Sequence, residues 1–209
     1  MSRLRYAKAP GCLYRLRDSE APVQAAIPRG PTPRWRGLLR RFRLIFYDFT
    51  QAPRDGIVFD IRIDDLTGEK MQALLALHLR GMHASSPPDQ VFALDLSGLT
   101  APNVTVWSLW EGGALAGMGA LKELGDETGE VKSMRTDPNH LRRGVGAALL
   151  EHIIGEARRR GLRRLSLETG SGPAFDPALA LYRKRGFIDG EPFGQYTRSS
   201  FNQFLHLAL

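Results

Sequence analysis

The pattern of apolar and polar positions changes texture near residue 57. Beyond it, short runs with strand or helix spacing follow one another between polar breaks. Residues 57–63 (IVFDIRI) alternate as a half-buried strand does. Residues 69–83 then put Met71, Leu74, Leu75, Leu77 and His78 on helical spacing, and the SSPP sequence at 85–88 predicts the stop. Asp89 is expected to cap a short second helix running to Leu96. Three strand-like runs follow, at 104–110, 115–121 and 130–136. Glu111-Gly112-Gly113 and the segment 125–129 divide them, which predicts an antiparallel meander. The most periodic stretch is 144–160, with Val145, Leu149, Leu150, Ile153, Ile154 and Ala157 on one face and Gly161 at its end. Residues 164–168 (RLSLE) predict a strand, 177–185 a helix stopped by Gly186, and the chain from Phe187 two closing strands. This order predicts an α/β (α+β) fold: a mixed, mostly antiparallel sheet with helices on both faces.

The first 55 residues read differently. Residues 1–56 carry 12 Lys/Arg against 4 Asp/Glu, a net +8, so the remaining 153 residues are nearly neutral at −1 although the whole chain is +7. Six prolines, at 10, 22, 28, 31, 33 and 53, keep most of this leader out of helices and sheet interiors. Residues 1–55 are therefore expected to be a largely disordered basic leader, with 35–49 (WRGLLRRFRLIFYDF) able to dock as a helix or strand, and 56–209 to be the folded domain. The apolar run 44–47 is far shorter than the roughly 20 residues a bilayer span needs. No secretory pattern follows the basic start, so a cytoplasmic location is expected. Because the positive charge sits in the leader, it does not argue for a nucleic-acid-binding core. Cys12 is the only cysteine and the five histidines show no ligand spacing with carboxylates, so neither a disulfide framework nor a metal is expected.

The sharpest local signal is Leu141-Arg142-Arg143-Gly144-Val145-Gly146-Ala147, between a predicted strand and the strongest amphipathic helix. A helix start leaves amides unpaired and carries partial positive charge, and glycines there let a pyrophosphate approach. A dinucleotide fingerprint would need glycine where Leu149 stands, and a P-loop would need Gly-Lys-Ser/Thr. The same residues also fit a plain glycine turn that opens a core helix.

With Met134-Arg135-Thr136 and Asp137-Pro138 before it, this loop resembles the acetyl-CoA pyrophosphate loop of the GNAT N-acetyltransferase superfamily. The stretch 178–187 (ALALYRKRGF) is similar to the family's A-x-x-L-Y-x-x-x-G-F helix. Within the family, GALKEL (119–124), GEVKSMRT (129–136), LETGS (167–171) and PF-x-x-Y (192–196) resemble a bacterial subgroup that carries an indole-acetate acetyltransferase label. Leu141 stands where the family loop usually has Gln or Arg, and Phe175 where its helix often has Asn. The resemblance covers about 57–209 and implies acetyl-CoA as cosubstrate. Pantetheine would lie along Ser133, Met134, Arg135 and Thr136, with pyrophosphate on Leu141, Arg142, Arg143, Gly144, Val145, Gly146 and Ala147.

The resemblance further implies that Tyr182 protonates the leaving thiolate, as a phenol with an ordinary pKa near 10 is suited to do. It places Glu130 where a histone-modifying branch keeps its general base, with Glu123 and Glu168 as competitors. The acceptor is expected near His83, Glu168, Thr169 and Tyr196. Lys132 and Arg135 share the strand of Glu130, where each is able to pair with an acidic substrate or to serve as a surface cation. The implied function is acetyl transfer to the amine of a small or amino acid-like acceptor. A non-catalytic acyl-CoA-binding module is the alternative, and the oligomeric state stays open between monomer and homodimer.

Overall fold

The computed structural model describes residues 58–209 and, as backbone strands, residues 5–9 and 12–16. Among the described residues, nine strands form one sheet in the order β1-β2-β3-β4-β5-β6-β7-β9-β8. Their bounds are β1 Arg5–Ala9, β2 Cys12–Leu16, β3 Val58–Ile63, β4 Val104–Glu111, β5 Ala114–Gly125, β6 Thr128–Thr136, β7 Arg164–Gly170, β8 Ile188–Asp189 and β9 Asn202–Ala208. The pairs β2/β3 and β6/β7 are parallel and all others antiparallel, as expected for a mixed, mostly antiparallel sheet. The leader thus contributes β1 and β2 at one edge. Its other residues, 35–49 among them, lie outside the described residues.

The β4–β5 turn has Gly112 and Gly113 at positive φ, and the β5–β6 turn has Asp126 and Glu127 at φ 49° and 55°. Two consecutive left-handed residues give a hairpin the twist its strands need. Helices α1 (Glu69–Ser85) and α2 (Leu96–Leu99) cover one face of the sheet, and α3 (Val145–Arg159) and α4 (Asp176–Lys184) the other. On α3 the predicted stripe is the buried one. Leu149, Leu150 and Ile153 are fully excluded from solvent, each worth about 1.5–3 kcal/mol of apolar burial. Gly161 follows at φ 75°.

One boundary differs from the sequence pattern. Asp89 lies in the middle of a single 3-10 turn at Pro88–Gln90 and caps nothing, and the short helix begins later, capped by Asp95, whose Oδ1 accepts from the Gly98 amide at 2.9 Å. Prolines at 87 and 88 fix the chain into that tight turn, and residues 91–95 run extended to the second cap.

Two irregularities in the middle of the sheet shape everything that follows. First, β6 pairs with β7 only from Thr128 to Glu130, so among the described residues no strand lies beside 131–136 on that side. Second, β6 bulges. Met118 pairs with Arg135 and Ala120 with Lys132, so two steps on β5 face three on β6, and the extra residue lies at Ser133, φ 51°. Gly119 stands opposite the bulge, where a Cβ would come within 2.7 Å of Met134 Sδ.

Candidate active site

The gap between β6 and β7 opens into a cleft of about 610 Å³. Residues 131–136 of β6 form one wall, Glu168 and Thr169 of β7 the other, α4 closes one end and α1 the opposite face. Val131, Met134, Phe175, Ala178 and Leu181 make much of the surface apolar. Several sequence-predicted residues meet here: Ser133, Met134, Arg135, Thr136, Leu141, Gly146, Glu168, Thr169 and Tyr182 all line the cleft.

The bulge sets what β6 presents. In a regular strand, residues three apart point to opposite faces. The extra residue cancels that, so Lys132 and Arg135 both face α1, while Met134 and Thr136 turn toward α3. The backbone of 131–136, unpaired on the cleft side, is an edge able to bond an extended ligand arm. Ser133 Oγ is buried there with no hydrogen-bond partner, so a polar group is already in place for a ligand that fills the cleft.

At the start of α3, Gly144 takes φ 88° and serves as N-cap, and the first-turn amides have no carbonyl a turn earlier. Arg142 adopts φ 59° and is exposed. Arg143, at the expected pyrophosphate site, is also engaged within the protein. Its Nη2 donates to Glu111 Oε1 at 2.6 Å, so the side chain ties the loop to the β4–β5 hairpin and the helix start keeps its anion-binding character through backbone groups. Leu141 is exposed at the cleft rim. Gly144, Val145 and Ala147 do not line the cleft: Gly144 is exposed and Val145 is buried in the core. A Cβ added at Gly146 would meet Leu181 Cδ2 at 3.4 Å and Thr136 Oγ1 at 3.6 Å, both ordinary contacts. Gly146→Ala should therefore raise fold stability by roughly 0.5–1 kcal/mol. It should weaken acetyl-CoA binding about tenfold by crowding the amides, a change of about 1.4 kcal/mol. Thermal melts and calorimetric titration read the two effects separately, and unchanged affinity would remove Gly146 from the donor site.

Glu130 departs from the expected geometry. It is 2% exposed and outside the cleft lining. Its Oε1 accepts from the Tyr196 hydroxyl at 2.6 Å and lies 3.2 Å from Lys132 Nζ, which also donates to Tyr196 Oη at 2.7 Å and to the Phe92 carbonyl at 2.9 Å. Tyr196 is thereby part of the network beneath the wall and not of the wall itself, packed edge-on against Phe92 and Phe193. Burial raises its phenol, with the Glu130 charge and hydrogen bond adding to the effect.

Glu168 is the carboxylate in the cleft wall. Burial raises its pKa from the model-peptide value to about 7, with Glu130 adding to the shift and Lys132 partly offsetting it. Tyr182 is almost fully buried at the α4 end, its ring against Phe187, and burial raises its phenol above the ordinary value. His83 is exposed and outside the cleft lining. His78, earlier on α1, lines the cleft instead, and burial with the nearby charges of Arg135 and Lys132 lowers it to about 4, so it is neutral at neutral pH. Gly81, Met82, Phe92 and Ala174 also line the cleft and carry no sequence signal beyond their position on these elements. Among the described residues no group of three or more His, Cys, Asp or Glu is gathered to hold a metal.

Comparison with known proteins matches residues 70–187 to the Acetyltransferase (GNAT) family, a span that holds every residue lining the cleft. The chain is 52% identical over 152 residues, 73% of its length, to the uncharacterized N-acetyltransferase YedL of Escherichia coli, and covers 96% of that protein. It is 37% identical over 124 residues to an IAA acetyltransferase of Azospirillum brasilense, covering 59% of this chain and 80% of that one. Among solved structures, a Klebsiella pneumoniae protein described as an acyl-CoA N-acyltransferase superposes with TM-score 0.62 and 28% identity, covering 72% of this chain and 97% of that one. The chain belongs to the GNAT acetyltransferase family, as an acetyl-CoA-dependent N-acetyltransferase.

Proposed function

We propose that the protein acetylates the amine of a small molecule in the cytoplasm, by direct attack of the amine on the acetyl-CoA thioester, with Glu168 as general base and Tyr182 as general acid. The observation that carries this reading is Glu168: a carboxylate in the cleft wall whose pKa of about 7 matches the task of taking a proton near neutral pH. The donor supplies the acetyl group in activated form. Its arm would run along the unpaired edge of 131–136 beside Ser133, and its pyrophosphate would lie at the α3 start around Gly146. As the amine nitrogen bonds to the acetyl carbon and the carbon–sulfur bond breaks, Glu168 receives the amine proton and Tyr182 gives its own to the sulfur. Burial keeps that phenol protonated until the sulfur needs it.

Glu130 takes a different part. Its carboxylate is engaged by Lys132 and Tyr196, and its charge helps hold Glu168 in the neutral range. A cleft of about 610 Å³ set between two strands suits a small acceptor, and no helix among the described residues is long and apolar enough to cross a membrane.

Tyr182→Phe tests the reading against the alternative of a sensor that binds acyl-CoA without turnover. Removing a general acid should lower kcat roughly 10²-fold with acetyl-CoA affinity retained. Thiol release over an amine panel measures the rate, and native mass spectrometry the retained CoA. A wild-type protein that holds acetyl-CoA and releases no thiol with any amine is a sensor.

A further inference from the structure

The α1 side of the cleft holds a cation with no anion paired to it among the described residues. The Arg135 guanidinium lies against α1 at Gly81, where a Cβ would stand 3.4 Å from Nη1, so the missing side chain makes the room it occupies. Its Nε is buried without a hydrogen-bond partner, and Arg135 enters no ion pair among the described residues. The neighbouring basic groups do not share its position. Lys132 is committed to Glu130, Tyr196 and the Phe92 carbonyl, and His78 is neutral. Leaving a buried donor unmade is costly, and an anion entering the cleft would supply the acceptor that Nε lacks.

We propose that Arg135 receives the carboxylate of the acceptor, so that the substrates are amines that also carry a carboxylate: amino acids or amino acid-like acids. The guanidinium fork matches a carboxylate in shape and charge, and a single unpaired arginine balances a single negative charge. Docking the acid against α1 would leave the amine free to face Glu168 across the cleft, since both residues line the same space. The inference rests on the transferase reading above and adds the chemical class of its acceptor.

The test compares each of several amino acids with its own carboxamide in the thiol-release assay on the full chain. The carboxamides have the less basic amines, so intrinsic reactivity at neutral pH favours them and a preference for the acid reports recognition. The wild type should favour the acid at least about tenfold in kcat/KM, the size of one charge-assisted hydrogen bond. Arg135→Gln should bring the acid-to-amide ratio to one or below, where intrinsic reactivity sets it, and Arg135→Lys, which keeps the charge but not the fork, should restore part of the preference. A loss of stability alone would lower both rates and leave their ratio unchanged. Equal use of acid and amide by the wild type, or a preference that survives in Arg135→Gln, overturns the inference while leaving the transferase reading in place. Silence from every acceptor, with acetyl-CoA bound, overturns both.

Discussion

Glu168→Gln is expected to lower kcat/KM about 10³-fold, within the range that general base catalysis supplies, and to leave acetyl-CoA affinity unchanged. Glutamine keeps the size and one hydrogen-bonding oxygen but cannot hold a proton. The wild-type pH profile follows from the same group. Below about 7 Glu168 is protonated and unable to act as base, so kcat/KM should rise with pH and level off above a midpoint near 7. Glu168→Gln should flatten that limb. Glu130→Gln gives the contrast: with one of the charges that raise Glu168 gone, the midpoint should move to lower pH while the plateau persists. A profile abolished by Glu130→Gln and untouched by Glu168→Gln would reverse the two assignments.

Lys132→Met should cost about 3–5 kcal/mol of folding stability, the penalty for stranding a buried carboxylate. Glu130 is 2% exposed and Lys132 7%, so neither water nor another cation replaces the lost ammonium. The Phe92 carbonyl and the Tyr196 hydroxyl lose a donor at the same stroke. Adding Glu130→Gln should recover most of the loss, because the remaining groups are then neutral. Urea unfolding at constant m-value measures both steps. A loss below about 1 kcal/mol, the range of exposed pairs, would mean that water reaches Glu130.

How far the chain is legible depends on whether a signal is local. The α3 stripe, the Gly112-Gly113 hairpin and the α4 motif through Gly186 are written in neighbouring residues, and each element forms where the pattern puts it. Glu168, Thr169 and Tyr182 also reach the cleft that their motifs imply. The network of Glu130 with Tyr196 joins residues 66 apart, and nothing near either residue announces the other. His78 and His83 differ by a rotation about α1, which spacing alone does not orient against a cleft on a neighbouring strand. The pairing of Arg143 with Glu111 is likewise a product of tertiary approach that the loop sequence does not announce. Strands β1 and β2 were hidden by the proline-rich composition around them: Arg5–Ala9 and Cys12–Leu16 are themselves free of proline.

The extra residue in β6 makes the charge of the acceptor wall a matter of parity. Arg135 stands beside Gly81 because an odd number of steps from Lys132 is turned into an even one at Ser133. Deleting Ser133 would keep that parity, two regular steps replacing three bulged ones, whereas straightening the bulge at unchanged length would exchange the two sides beyond it. The guanidinium would be driven toward Leu149 and Ile153, and the α1 wall would be left without a cation. On this scaffold the loss of the bulge at unchanged length is thus a larger change in acceptor chemistry than most substitutions, and chains that differ in how β6 pairs with β5 need not share a substrate even where the α3 loop and Tyr182 are the same.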